Sequence, residues 1–129
     1  MICIDSDCII DFLAGEKEAV DILNNYKDEV VTTEVNAFEV FLGIYASKDI
    51  NKKHEETAEA FFKSVEVINI SGWGIKAAKI FAKLMRQGRA LEQNDCLIAA
   101  IALANGCNSI ITRNAKHFSR IEGIKVICY

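Results

Sequence analysis

Four carboxylates in this 129-residue chain stand where carboxylates are costly. Asp5 and Asp7 flank Ser6 directly after the apolar run "ICI", Glu39 sits inside "NAFEVFLG", and Asp95 opens the almost wholly apolar "DCLIAAIALANG". A carboxylate beside a core-facing surface must be neutralised, paired or bound to a cation. Each of the four has an ordinary use as well. Asp5 or Asp7 can cap the helix that begins near Cys8, Glu39 can reach water from the edge of its stripe, and Asp95 can cap its helix or meet the helix dipole. Such a cap contributes about 0.5–2 kcal/mol, and Asn94 can take it instead. One cap needs one side chain, however, and four acids gathered in one place repel strongly unless divalent cations relieve them. Oxygen donors of this kind suit Mg²⁺ or Mn²⁺ rather than zinc. Such ions, singly or in pairs roughly 3.5–4 Å apart, activate water for in-line attack at phosphorus and stabilise the leaving oxygen. Metal-dependent phosphodiester chemistry is the chemistry these residues support best.

Other chemistries find less support. With only two histidines, His54 and His117, no Ser-His-Asp or Cys-His arrangement can be assembled, and there is no G-x-G-x-x-G or Gly-rich phosphate loop. The five cysteines are scattered singly with no C-x-x-C pair, which points to buried reduced thiols rather than a disulfide framework or a zinc site. A net charge of −3 argues against coating nucleic acid through bulk positive charge, yet leaves nucleic acid open as a substrate. No run approaches the roughly 20 apolar residues of a spanning helix, and no basic leader precedes the first apolar run, so a cytoplasmic protein with no membrane partner is expected.

The elements that must position these acids read as an alternation. Length and continuity imply a single domain over 1–129. Short β-rich runs at 1–5, 29–33, 65–70, 109–114 and 124–129 alternate with helical segments at 8–13, 16–26, 34–47, 53–64, 71–89 and 95–106. Gly88 and Gly106 are the expected helix stops. Strands joined through helices imply an α/β three-layer sandwich with a mostly parallel central sheet flanked by helices. In the helix over 34–47, Val35, Phe38, Leu42 and Tyr45 are the expected core-facing stripe, with Glu39 against it. Ligands of such sheets gather beyond the carboxyl ends of the strands, where Asp5, Asp7 and Asn114 fall.

Over essentially its whole length the chain resembles the PIN-domain nucleases, most closely the VapC-like ribonuclease toxins. "ICIDSDCIIDFL" is similar to the family's opening strand and helix, "NAFEVFLG" to its E-l-x-x-G segment, and "NDCLIAAIALANGCNSIITRN" to its D-x-x-I-A-a-x-A helix followed by a strand ending in Thr-Arg-Asn. The resemblance implies a Mg²⁺- or Mn²⁺-dependent endoribonuclease that cleaves single-stranded RNA, leaving 5′-phosphate and 3′-hydroxyl ends. In it Asp5, Glu39 and Asp95 hold the metal, and Ser6 is the small hydroxyl residue that follows the first acid. It also implies a homodimer silenced by a small antitoxin. One departure stands out: the family's further acid, at the position of Asn114 or His117, is missing. Asn114 can still offer an uncharged oxygen, and Asp7 can compensate, so one or two metals are both open.

Arg113, Lys116, His117 and Arg120 cluster near the same sheet edge and are candidate contacts for RNA phosphates, as is Ser6 for substrate. Lys76, Lys79, Lys83, Arg86 and Arg89 recur at helical spacing and read as an exposed face, while Trp73 in "SGWG" suits core or interface packing. Two rival readings remain. "ICIDSDCII" also resembles the first motif of haloacid-dehalogenase-like phosphatases, and the missing acid leaves open a PIN-like module that binds RNA or protein with little catalysis.

Overall fold

The computed structural model describes residues 1–69 and 71–129. Ile70, the last residue of the strand expected over 65–70, lies outside the described residues. Five strands, β1 (Ile2–Ile4), β2 (Val30–Thr33), β3 (Glu66–Ile68), β4 (Ser109–Ile111) and β5 (Lys125–Ile127), form one sheet in the order β3-β2-β1-β4-β5. Every neighbouring pair is parallel, with Cys3 opposite Val31 on one side and Ile110 on the other. The helices are α1 (Ser6–Leu13), α2 (Lys17–Tyr26), α3 (Glu34–Tyr45), α4 (Lys52–Ser64), α5 (Trp73–Arg86), α6 (Gln93–Ala104) and the short α7 (Ala115–Phe118). The expected α/β sandwich is the fold observed, with the sheet wholly parallel.

Alternation along β1 shows why the strands read as continuous apolar runs. Ile2 and Ile4 pack with Cys8, Ile9, Leu23 and Val40 on one face, and Cys3 packs with Ile98, Ile101 and Phe118 on the other. Each face is covered by helices, so both pleats are apolar. Trp73 is partly buried against the second cluster. All five cysteines are free; four are buried, whereas Cys128, one residue past β5, is exposed. Gly88 and Gly106 follow α5 and α6 with φ of 65° and 80°, a left-handed conformation that only glycine adopts without strain.

The structure corrects the expectation for α3. Phe38, Leu42 and Tyr45 are 58%, 51% and 50% exposed, and the helix instead buries Asn36 and Val40. Apolar residues occur all around this helix, so the line that faces the sheet is chosen by Thr33. Its hydroxyl accepts from Asn36 N, and Asn36 Oδ1 in turn accepts from Thr33 N and Oγ. This capping box fixes Asn36 inward and turns the aromatic line outward. A second difference follows β4, which ends at Ile111 rather than running to residue 114 and gives way to α7.

Candidate functional site

The carboxyl edge of the sheet collects the candidate acids. Asp5 leaves β1 as the residue before α1 and is 6% exposed, Glu39 lies one turn into α3, and Asp95 sits in the first turn of α6. None of them caps a helix with its side chain: Asp5 and Glu92 occupy the N-cap positions of α1 and α6 without a side-chain bond.

Neutral donors hold Asp5. Its Oδ1 accepts from Asn36 Nδ2 at 3.2 Å and its Oδ2 from Thr112 Oγ1 at 3.0 Å. Asn36 is wholly buried and fully used, its second N–H donating to Ser6 Oγ at 2.9 Å and its oxygen accepting from Thr33. Ser6 passes the chain on by donating to Glu39 Oε2, while Glu39 Oε1 accepts from Asn94 Nδ2 at 3.0 Å. Asp95 is held by His117, whose Nδ1 lies 2.8 Å from Asp95 Oδ2 and 2.8 Å from Asn114 Nδ2. One ring nitrogen cannot serve both at once: protonated, it donates to Asp95; unprotonated, it accepts from Asn114.

Charge repulsion runs through the same groups. Burial, then the Asp7 charge, pushes the Asp5 carboxyl up to about 7 against the Ser6 amide and the Thr112 hydroxyl, and Asp95 adds to the rise. Burial raises Asp95 as well, with Glu39 and Glu92 repelling it and His117 opposing them. Asp7 is raised chiefly by burial. Its carboxylate is turned toward the chain after β4, where its Oδ2 accepts from Arg113 N at 3.1 Å and both oxygens face Thr112 Oγ1 at 3.3 and 3.4 Å. Asp7 therefore neither caps α1 nor lies free; it fastens the turn that carries Thr112 beside Asp5.

The remaining candidates divide. Ser6 is buried within the hydrogen-bond chain. Arg113 Nη1 pairs with Asp11 Oδ2 at 2.9 Å, and Asp11 also accepts from Tyr129 Oη at 2.8 Å. Lys116 is exposed, and Arg120 Nη1 donates to Ala90 O at 3.3 Å. Asn36, Thr112 and Asn94 are site residues whose roles the sequence alone left unread. The available signals were the Thr33-x-x-Asn36 spacing of a capping box and the Thr at the end of the β4 run.

A hard dication fits this donor set by its chemistry. Asp5, Glu39 and Asp95 offer only oxygen, and Asp5 and Asp95 are under electrostatic repulsion that a cation would remove. As the side chains stand, no three His, Cys, Asp or Glu among the described residues are grouped to hold a metal ion; the carboxylate oxygens face neutral donors and His117 instead.

The sequence profile of the PIN domain matches residues 2–124. No curated protein matches the sequence. Among solved structures, the fold is similar to VapBC2 from Rickettsia felis bound to a DNA fragment from its promoter, at 19% identity and a TM-score of 0.88, covering 100% of this chain and 99% of that one. It is also similar to DNA-bound VapBC from Salmonella typhimurium, at 23% identity and a TM-score of 0.85, covering 99% and 98%. VapBC-5 of Mycobacterium tuberculosis, a member of the VapBC family of toxin-antitoxin systems, matches at 23% identity and a TM-score of 0.73, covering 99% and 98%.

Proposed function

The chain belongs to the PIN domain family, and on that premise we propose that it is a divalent-metal-dependent endoribonuclease, acting in the cytoplasm as the toxin of a toxin–antitoxin pair. The observation that carries this reading is the gathering of Asp5, Glu39 and Asp95 from β1, α3 and α6 at one sheet edge, with Asp5 pushed up to about 7. The match over residues 2–124 also speaks against the phosphatase reading of the Asp-Ser-Asp triplet.

Asp5, Glu39 and Asp95 are the proposed metal ligands. When bound, Mg²⁺ or Mn²⁺ supplies the positive charge that activates water for in-line attack at phosphorus. The chain's own part is to aim the ligands. Asn36 and Thr112 fix the Asp5 carboxylate from both sides, Ser6 and Asn94 fix Glu39, and His117 fixes Asp95 while its proton is on Nδ1. Such outer partners orient the ligands and set their basicity. Asn114 and Asp7 support these groups, and the exposed Lys116 offers a cation to a substrate phosphate.

The neighbours' toxin–antitoxin assembly supports an antitoxin partner here. The exposed Phe38, Leu42 and Tyr45 offer α3 to a second copy of the chain. The groove of about 570 Å³ beside it, lined by Ile10, Leu13, Val40, Ile44 and His54, offers a seat to an antitoxin helix. No helix among the described residues is long and apolar enough to cross a membrane.

Incubating the purified protein with single-stranded RNA tests the activity. Cleavage that needs Mg²⁺ or Mn²⁺ and is abolished by Asp5→Asn is expected; metal-independent cleavage, or none, contradicts the reading.

A further inference from the structure

Positive charge is scarce beside the acids. Arg113 is paired with Asp11 and His117 contacts Asp95, which leaves the exposed Lys116 as the cation offered there. A polyanionic substrate approaching three carboxylates in a chain of net charge −3 needs a cationic anchor elsewhere. A basic groove lies on another part of the surface. It has a volume of about 510 Å³ and runs between α5 and the segment after α7, with Lys76, Lys79, Lys83 and Arg89 on one wall and Arg120 on the other. Ile80, Leu84 and Ile121 line it as well, so its cations stand over an apolar surface. Lys83 is paired with Glu122 at 2.6 Å, but Lys76, Lys79 and Arg89 have no ion-pair partner among the described residues.

The groove's second wall is linked to the acid cluster through the chain. Arg120 donates to Ala90 O, tying the second wall to the loop that leads into α6. Three residues before Arg120, His117 contacts Asp95. Lys76 and Lys83 lie seven residues apart on one helix, about 10 Å along its axis, a spacing that lets one strand meet several of these cations in turn.

We propose that this groove binds the phosphodiester backbone of single-stranded RNA to one side of the cut, as an anchor distinct from the acid cluster. The proposal rests on the ribonuclease reading. The exposed lysines that read as an ordinary solvated helix face are, on this account, the part of the chain that first captures substrate and leads it to Asp95.

The test uses the full chain carrying Lys76→Ala, Lys79→Ala and Arg89→Ala together, compared with a Lys48→Ala, Lys63→Ala control that removes exposed positive charge elsewhere. RNA binding is followed by fluorescence anisotropy over a salt series in an Asp5→Asn background that does not cleave. Losing three phosphate contacts should reduce the slope of log K against log salt by about 2, since each contact to a single strand contributes about 0.7. In the cleaving background, KM for a long RNA should rise about tenfold, and the loss should be larger than for a short oligonucleotide that fills only the acid cluster.

If the wild type cleaves RNA while the triple variant keeps its KM and salt slope, the anchor is refuted and the ribonuclease reading stands. The same holds if the triple variant loses only the binding of a poly-glutamate peptide, which would make the groove a seat for an acidic protein. If the wild type neither cleaves RNA with Mn²⁺ nor binds it, the ribonuclease reading falls and the anchor with it.

Discussion

The acid cluster and the basic groove are linked through α7 and the residues after it but are built on opposite terms. In the cluster each carboxylate is fixed by named donors, and Asn36 spends all its hydrogen-bonding capacity on Asp5, Ser6 and Thr33. In the groove the cations stand on α5, on the turn after it and on the facing wall, and Lys76, Lys79 and Arg89 have no ion-pair partner among the described residues. Interlocked groups fail together when one is removed, whereas independent charges on a surface add. Orientation is thus demanded at the acids, and only the sign of the charge is demanded at the groove.

Substitutions separate these two kinds of dependence. The largest effect belongs to Asp5→Asn. The amide keeps an acceptor for Asn36 and gives a donor to Thr112, so the fold should persist. Cleavage measured at saturating Mn²⁺ should fall on the order of a thousandfold, equivalent to roughly 4 kcal/mol of transition-state stabilisation. Loss of folding in circular dichroism instead would mean that the charge of Asp5 is structural.

Next in size is the pH dependence of stability without metal. Asp5 binds its proton more tightly folded than unfolded, so its contribution is fully present below the unfolded value near 4 and is lost as pH rises through about 7. The raised Asp7 and Asp95 act in the same direction. Denaturant unfolding should therefore show stability falling by a few kcal/mol between about pH 4 and 7, and a flatter profile in Asp5→Asn. A profile that Asp5→Asn leaves unchanged would contradict the burial and repulsion assigned to this carboxyl.

Asn36→Ala comes third. It strips donors from Asp5 and Ser6 in a buried site and should cost about 2 kcal/mol in urea unfolding. A neutral result would mean that water replaces the amide and that the network is not interlocked. His117→Ala should weaken Mn²⁺ binding about tenfold in calorimetry, while His117→Asn, whose amide can still donate to Asp95, should restore part of it. The smallest effect is expected in the groove, where Lys79→Ala alone should change RNA affinity only about two- to fivefold at moderate salt. A single groove substitution as damaging as Asn36→Ala would erase the contrast.

The sheet was legible because strands buried on both faces are continuous apolar runs, and parallel pairing follows from helices between them. Asp5 and Asp95 drew attention as acids bordering apolar segments that the structure buries, whereas Glu39 was singled out beside a stripe that the structure exposes. Their supports were not legible, since Asn36, Asn94 and Thr112 are neutral residues whose value depends on what lies opposite them in space. The face of α3 was misjudged for a related reason. Its apolar residues surround the helix, so periodicity offers several stripes, and a capping box around a buried asparagine decides among them. The short α7 carries too few residues for any period to register, yet it delivers His117 to Asp95.

Joint binding of a divalent cation by Asp5, Glu39 and Asp95 can be followed by calorimetric titration of Mn²⁺ into the wild type and into Asp5→Asn, Glu39→Gln and Asp95→Asn. Saturable binding by the wild type that is lost or greatly weakened in all three variants is the result predicted. Binding that survives any one of them unchanged, or no binding by a folded wild type, would contradict it.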